Sequence, residues 1–445
     1  MSRLFGTDGV RGVANAELTP ELAFKLGEAA GHFLGDKGRG RIVVGRDTRK
    51  SGELLESALV AGLLAGGADA LVCGIVPTPA VALLVRERGA DGGVVISASH
   101  NPPEYNGIKL FSRDGFKLPD ELEDEIEAFC SDERNGWVRP TGEGVGRIEL
   151  LGDALERYVV HCTGTIDVDL TGLRIAVDCG HGASGIATPE ALRRLGAKVV
   201  VVNAESNGLD INVDCGSTNL GLIAGMVTDH EVDLGIAHDG DADRVLAVDE
   251  TGAEVDGDAI MAICAAHRFE RGALAHDMVV STVMCNLGFE IAMRERGINV
   301  VKTKVGDRYV LEQMLTSGAT LGGEQSGHII FLEHNTTGDG LVTALQLAAV
   351  MRESGLPLSE LRRVMRRYPQ VLVNVPVADK ARLATSSAIT EAIHAAEAEL
   401  GESGRVLVRP SGTEPLVRVM AEAADGKTAA SIVGRLVELV KTELA

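Results

Sequence analysis

The sequence predicts three related α/β domains followed by a smaller α+β domain, and two observations carry that prediction. The first is a pattern that occurs three times: a short apolar strand, a helix, a glycine, then another apolar strand. The second is a change of pattern over the last ~75 residues. The first copy runs from Ile42-Val43-Val44 through a helix at 54–65 and Gly67 to Ala70-Leu71-Val72. The next runs from Arg174-Ile175-Ala176-Val177 through a helix at 189–195 and Gly196 to the strand 199–202. The third runs from Met278-Val279-Val280 through a helix at 287–296 and Gly297 to Val300-Val301. Glycine directly after a helix supplies a left-handed cap, and continuous Val/Ile strands suit a sheet buried on both faces. The tail instead reads as a strand at 371–377, one helix over 381–400, strands at 405–408 and 416–421, and a helix at 428–440. In that last helix Ile432, Val433, Leu436, Leu439 and Val440 form one apolar stripe. Linkers are expected at 132–147, 251–256 and 355–368, which gives domains 1–150, 151–254, 255–368 and 369–445.

Composition narrows the function classes. With 64 acidic and 43 basic residues the formal charge is −21, the opposite of a nucleic-acid or anionic-membrane footprint. A hydrophobic fraction of 45% excludes an acidic disordered chain. Fifty-four glycines and only 3% aromatic residues fit close-packed α/β layers with backbone amides near ligands. Seven cysteines without CxxC spacing read as free thiols in a reducing compartment. No secretory signal is visible, and the apolar stretch 59–76 contains Asp69 and Gly66-Gly67, so it reads as core. The expectation is a cytoplasmic protein with no nucleic-acid or membrane partner.

Four segments carry chemistry. In Gly92–Pro103 a buried strand ends in Ser97-Ala98-Ser99-His100-Asn101-Pro102, a turn that presents a hydroxyl from a rigid element, where a nucleophile or phosphoryl carrier belongs. The sequence contains no G-x-S-x-G, so Ser99-His100 is no hydrolase signal. Asp239, Asp241 and Asp243 lie at i, i+2, i+4 in a loop between strands 232–236 and 245–248, a set of hard oxygen ligands for Mg²⁺ or Ca²⁺. An EF-hand is rejected, because its sixth position needs glycine and here is Arg244. Gly322–His328 offers an acid, an amide, a hydroxyl and an imidazole, suited to sugar hydroxyls. Arg409–Pro415 with Arg418 is a tight turn between arginines, and together with Arg405 it makes a positive island able to hold phosphate. Gly426-Lys427-Thr428 resembles a P-loop terminus, but Ala421 stands where its first glycine must be.

With these four segments in this order, the sequence resembles the α-D-phosphohexomutase superfamily, from Phe5-Gly6-Thr7-Asp8-Gly9-Val10-Arg11-Gly12 to the C-terminal loop. The N-terminal segment, Val305-Gly306-Asp307-Arg308-Tyr309-Val310, Gln325 and Thr336-Thr337-Gly338-Asp339-Gly340 lean toward its bacterial phosphoglucosamine mutase branch. The resemblance implies four domains around a central cleft, three with a mixed α/β core. It implies reversible conversion of glucosamine 6-phosphate to glucosamine 1-phosphate through a phosphoserine and a 1,6-bisphosphate that is intermediate and activator. This would feed UDP-N-acetylglucosamine and cell-wall synthesis. Phosphomannomutase/phosphoglucomutase activity with the same machinery is the alternative. A non-catalytic sugar-phosphate sensor would lack the serine, an aspartate or the loop arginine, and all are present here.

The resemblance further implies one Mg²⁺ per subunit, bound by Asp239, Asp241, Asp243 and the phosphate on Ser99. Ser99, His100, Arg11, Lys109, Arg244 and His328 become catalytic candidates, with Lys109 or His328 moving the proton. A Lys109 in that role requires a depressed pKa, expected from a nearby cation and arginine. Asp307, Glu324 and Ser326 are expected at the sugar, and Arg409, Ser411, Gly412, Thr413 and Arg418 at the non-reacting phosphate. The expected partner is a phosphosugar, and the expected assembly a monomer or homodimer.

Overall fold

The computed structural model describes residues 3–6, 8–35, 39–131, 137–411 and 415–444. The chain forms two compact units, Met1–Met284 with Ile298–Val364, and Cys285–Gly297 with Met365–Ala445.

Unit 1 contains three mixed sheets. The first has strands β1 (Val10–Val13), β2 (Arg41–Arg46), β3 (Asp69–Ile75), β4 (Gly92–Ile96), β5 (Tyr105–Ser112) and β6 (Ile148–Leu150), in the order β1-β5-β4-β2-β3-β6. The second has β7 (Arg174–Asp178), β8 (Lys198–Val202), β9 (Leu234–His238), β10 (Val245–Asp249) and β11 (Glu254–Val255), in the order β11-β10-β9-β7-β8. The third has β12 (Met278–Thr282), β13 (Asn299–Thr303), β14 (Leu321–Gly323) and β15 (Ile329–Phe331), in the order β13-β12-β14-β15.

One four-strand motif recurs in all three sheets. Two parallel strands joined through a helix are β2/β3, β7/β8 and β12/β13. A further parallel strand pairs on the other side of the first: β4, β9 and β14. It then turns back into an antiparallel neighbour: β5, β10 and β15. The glycines that punctuate the repeat do what their spacing predicts: φ is +94° at Gly67, +89° at Gly196 and +79° at Gly297. Each lets the chain leave its helix through a conformation a Cβ disfavours.

Three local expectations need correcting. The helix expected to begin at Pro189 is Ser184–Arg194, with Pro189 inside it. Ser and Gly weaken its first turn as a sequence signal, but Ala187 and Thr188 are fully buried and packing overrides propensity. The segment 251–256 is not only a linker, because Glu254–Val255 adds strand β11 to the second sheet. The segment 355–368 holds a short helix, Leu358–Leu361, and a 3₁₀ turn, Arg362–Val364. Part of the first expected linker, 132–136, lies outside the described residues.

Unit 2 is built on β16 (Gln370–Pro376), β17 (Arg405–Pro410) and β18 (Leu416–Glu422), antiparallel in the order β16-β18-β17. Helices Ser387–Leu400 and Gly426–Glu443 cover it, burying Ile389, Leu400, Ile432, Val433, Leu436 and Val440 in one core. The single helix expected over 381–400 is broken: a 3₁₀ turn, Lys380–Ala384, precedes the helix at Ser387. The Ser386 hydroxyl accepts from the Ile389 amide and caps the second piece, so the hydroxyl competes with helix continuation.

All seven cysteines are free, and all but Cys73 are buried. Among the described residues no helix is long and apolar enough to cross a membrane.

Candidate active site

The three loops singled out in unit 1 occupy one topological position. Each is the turn from the inner parallel strand to its antiparallel neighbour: 97–104 after β4, 239–244 after β9 and 324–328 after β14. Side chains at the carboxyl ends of parallel strands face a common edge, where open α/β sheets place ligands.

Ser99 is 1% exposed and its hydroxyl donates to Asp239 Oδ2 at 2.6 Å. His100 Nδ1 lies 3.4 Å from the Ser99 hydroxyl oxygen, and burial, then Arg244 and Arg11, push the His100 pKa down to about 4. The imidazole is therefore neutral at pH 7. Asp239, Asp241 and Asp243 are all buried, with one oxygen from each within 4.8 Å of the others. Burial, then Asp243 and Asp241, push the Asp239 carboxyl well above the ordinary range. Burial would raise Asp241 as well, but Lys109 and the hydrogen bonds from Lys109 and Thr78 hold it down. Asp241 Oδ1 and Asp243 Oδ1 are buried without a hydrogen-bond partner among the described residues. Three converging carboxylates, two of them with an unpartnered oxygen, fit a divalent metal ion.

Lys109 Nζ lies 2.8 Å from Asp241, 3.1 Å from Asp8 and 3.3 Å from Asp243. Burial alone would lower its pKa, but these three carboxylates outweigh burial and hold the ammonium well above its usual range. The depressed Lys109 was expected beside a bound cation; in this cluster the ammonium is held by these carboxylates. Arg11, on β1, pairs with Asp8, and Arg244 Nε lies 3.8 Å from Asp243.

The sugar-loop candidates join the same cluster. Glu324 Oε1 accepts from the Gly306 amide at 3.1 Å. The Ser326 hydroxyl and both ring nitrogens of His328 are buried without hydrogen-bond partners among the described residues. Asp307 begins the helix Asp307–Ser317, pairs with Lys117 and lies 3.5 Å from His328 Nε2. Gln325 turns away and donates to Asp256, the cap of the helix Gly257–Glu270, at 3.2 Å.

Several residues of this site were not singled out from the sequence. Asp8 takes Lys109, Lys117 and Arg11, which together hold it well below the carboxylate range despite burial. Thr78 donates to Asp241 at 2.6 Å. Asp47, Arg49 and Ser97 support the Ser99 turn, and Asn212 donates to the Ser99 carbonyl at 2.9 Å. A signal for Asp47 and Arg49 did exist: charged residues directly after β2, whose end adjoins that of β4.

In unit 2, Arg409 and Arg418 are cross-strand partners in register on β17 and β18. Burial, then Arg418, lowers the Arg409 pKa, so the two guanidiniums repel. Lys380 Nζ donates to the Ser411 carbonyl at 2.7 Å. Gly412 and Thr413 lie outside the described residues. Arg405 does not join the positive island: Glu422 at 2.7 Å and Glu290 at 3.1 Å neutralise it.

Four models of the phosphoglucomutase/phosphomannomutase family match in order: α/β/α domains I, II and III over residues 2–136, 156–252 and 256–368, and the C-terminal domain over 372–439. The phosphoglucosamine mutase of Streptomyces coelicolor is 56% identical over 451 residues, covering 100% of both chains. The chain belongs to the phosphoglucomutase/phosphomannomutase family. That of Pelotomaculum thermopropionicum is 56% identical over 442 residues, covering 99% of each. Among solved structures, a family member from Burkholderia thailandensis superposes with a TM-score of 0.83 at 25% identity, covering 100% of this chain and 98% of that one. As a phosphohexomutase the chain is an enzyme of the isomerase class, with three mixed α/β domains and a smaller C-terminal one.

Proposed function

We propose that this phosphohexomutase interconverts glucosamine 6-phosphate and glucosamine 1-phosphate, with Ser99 as the phosphoryl carrier. The observation that carries the reading is the Ser99 hydroxyl 2.6 Å from Asp239, within a buried triaspartate cluster. The match to phosphoglucosamine mutases along the full length supports the amino-sugar substrate. The reading takes four domains, 1–150, 151–254, 255–368 and 369–445. It takes a phosphosugar as partner in the cytoplasm, with the protein a monomer or homodimer.

In the forward half-reaction the sugar O1 attacks phosphorus on phospho-Ser99. The P–Oγ bond breaks, the O1 proton passes to a base, and a 1,6-bisphosphate results. In the second half the bisphosphate presents its 6-phosphoryl group to Ser99 and leaves as the 1-phosphate. Phosphoryl transfer asks mainly for alignment and charge neutralisation. Asp239, Asp241 and Asp243 would hold Mg²⁺, which when bound neutralises charge on the transferring group. Arg244 and Arg11 sit at the same cluster as further positive groups, and Lys109 fixes Asp241 and Asp243. His328 suits the proton transfer, because neither ring nitrogen has a hydrogen-bond partner among the described residues, whereas Lys109 is tied to three carboxylates. Glu324, Ser326 and Asp307 would take sugar hydroxyls or the amine. Arg409, Ser411, Gly412, Thr413 and Arg418 would take the phosphate not being transferred.

The test is a coupled assay comparing glucosamine, glucose and mannose 6-phosphates. The amino sugar is expected to give the highest kcat/KM; a preference for mannose or glucose phosphate would make the enzyme a phosphomannomutase/phosphoglucomutase.

A further inference from the structure

Arg49 takes no part in the scheme above, yet it is committed to the loop that carries Ser99. The side chain is 1% exposed. One terminal nitrogen donates to the carbonyls of Ser99 at 2.9 Å and Asn101 at 2.7 Å. The other donates to the carbonyls of Tyr105, at 3.0 Å, and Pro102. Nε closes on Asp47 Oδ2 at 3.0 Å, and that oxygen also accepts from the Ser97 hydroxyl at 2.6 Å. Ser97 Oγ in turn accepts from the Ser99 amide at 2.9 Å. The clamp reaches both polar groups of the Ser99 backbone, one directly and one through Asp47 and Ser97. Asn212, from the segment after β8, adds donors to the Ser99 carbonyl at 2.9 Å and the Asn101 carbonyl at 3.2 Å.

The clamped residue is strained. Ser99 has φ +52°, a left-handed conformation that a residue with a Cβ disfavours. Such a conformation persists only where its surroundings over-determine it. It also sets where Oγ points. Rotating residue 99 back to an extended or right-handed conformation would swing the hydroxyl off Asp239. Only arginine offers five donors in a planar fork, which is what several carbonyls and a carboxylate around one point require; lysine has a single nitrogen.

We propose that Arg49 is a positioning residue for phosphoryl transfer, holding Ser99 in its left-handed conformation so that Oγ and the group it carries stay aimed at the metal-binding aspartates. This rests on the reading that Ser99 is the phosphoryl carrier. A misplacement of about 1 Å at a reacting atom costs on the order of a hundredfold in rate. Arg49 acts on alignment and touches neither sugar nor phosphate, so kcat is where the effect falls.

The test uses the full chain with Mg²⁺, primed with glucose 1,6-bisphosphate and assayed with glucosamine 6-phosphate. Arg49→Lys, Asn212→Ala and Ser99→Ala are compared with wild type for kcat, KM, thermal midpoint and occupancy of phospho-Ser99 by intact mass. Arg49→Lys is expected to lower kcat about a hundredfold with KM within about threefold. Asn212→Ala, which removes the minor donor and spares the core, is expected to lower kcat about fivefold at unchanged KM. An arginine that only braced the fold would lower the thermal midpoint and leave kcat per folded molecule unchanged. A folded Arg49→Lys with kcat within about threefold of wild type overturns the proposal. If that variant does not fold, wild-type kcat in Asn212→Ala overturns it. An active Ser99→Ala would show that the carrier reading itself has failed, whereas an inactive Ser99→Ala beside an unimpaired Arg49→Lys isolates failure of the clamp.

Discussion

The charged cluster around Ser99 and the arginine pair on β17–β18 are built on opposite plans. In unit 1 the signs alternate: Lys109 sits among Asp8, Asp241 and Asp243, and Lys117 between Asp8 and Asp307. In unit 2 like faces like, with Arg409 directly opposite Arg418. Alternation allows burial, because each charge is desolvated beside its counter-ion. It yields a rigid frame whose spare capacity is a few inward carboxylate oxygens. Two arginines in register across β17 and β18 instead set two positive charges side by side, an arrangement that favours an anion. One plan suits a divalent cation, the other an anion.

Chelation of divalent cations strikes the first plan hardest. Turnover should fall about a thousandfold or more and return with Mg²⁺; full activity after exhaustive chelation would break the contrast. Next comes His238, which ends β9 just before the triaspartate loop. Its Nδ1 meets the Arg244 carbonyl and its Nε2 the Thr188 hydroxyl, each at 3.0 Å, and burial pushes its pKa down to about 4. The folded state thus binds this proton less readily than the unfolded chain. The stability contributed is present above pH ~6.5 and is lost as pH falls toward 4, on the order of 3 kcal/mol from this residue. Its ring resonances should stay in the neutral form to below pH 5, and a normal titration near pH 6.5 would sink the idea.

Arg409→Gln should raise KM about 10- to 100-fold with a small effect on kcat. It should leave the ligand-free protein as stable as wild type or slightly more so, because a like-charge pair is removed. Loss of stability would mean that the pair is a structural tie and would collapse the comparison. The smallest effect is expected at Gly338, where a Cβ would lie 2.4 Å from the His328 ring. Gly338→Ala should displace that imidazole and lower kcat about tenfold, with a stability cost of about 1–3 kcal/mol. An unchanged kcat would remove His328 from the proton-transfer role.

Much of this was legible in the sequence where the signal is local. Three strand–helix–glycine–strand runs foretold three sheets of one topology, because the glycines mark chain reversals that depend on their own φ. Asp239, Asp241 and Asp243 were visible together because one short loop holds all three. Lys117 and Asp8 were not, since their roles depend on which strand ends and loops adjoin, tens of residues away in sequence. Arg405 and Arg409 look alike in the chain; Glu422 and Glu290 make the first a tie, and only the fold brings them there. The break at Ser386 was missed because one capping hydroxyl outweighs a run of good helix formers.

The central claim is that Ser99 carries the phosphoryl group, and mass measurement of the intact protein addresses it most directly. After incubation with glucose 1,6-bisphosphate and Mg²⁺, wild type should gain a single phosphoryl group that maps to Ser99 and is discharged by glucosamine 6-phosphate as the bisphosphate forms. Ser99→Ala should gain none and turn over no substrate. A Ser99→Ala protein that still interconverts the two phosphates, or a discharged phosphoryl group mapped to another residue, would contradict the account.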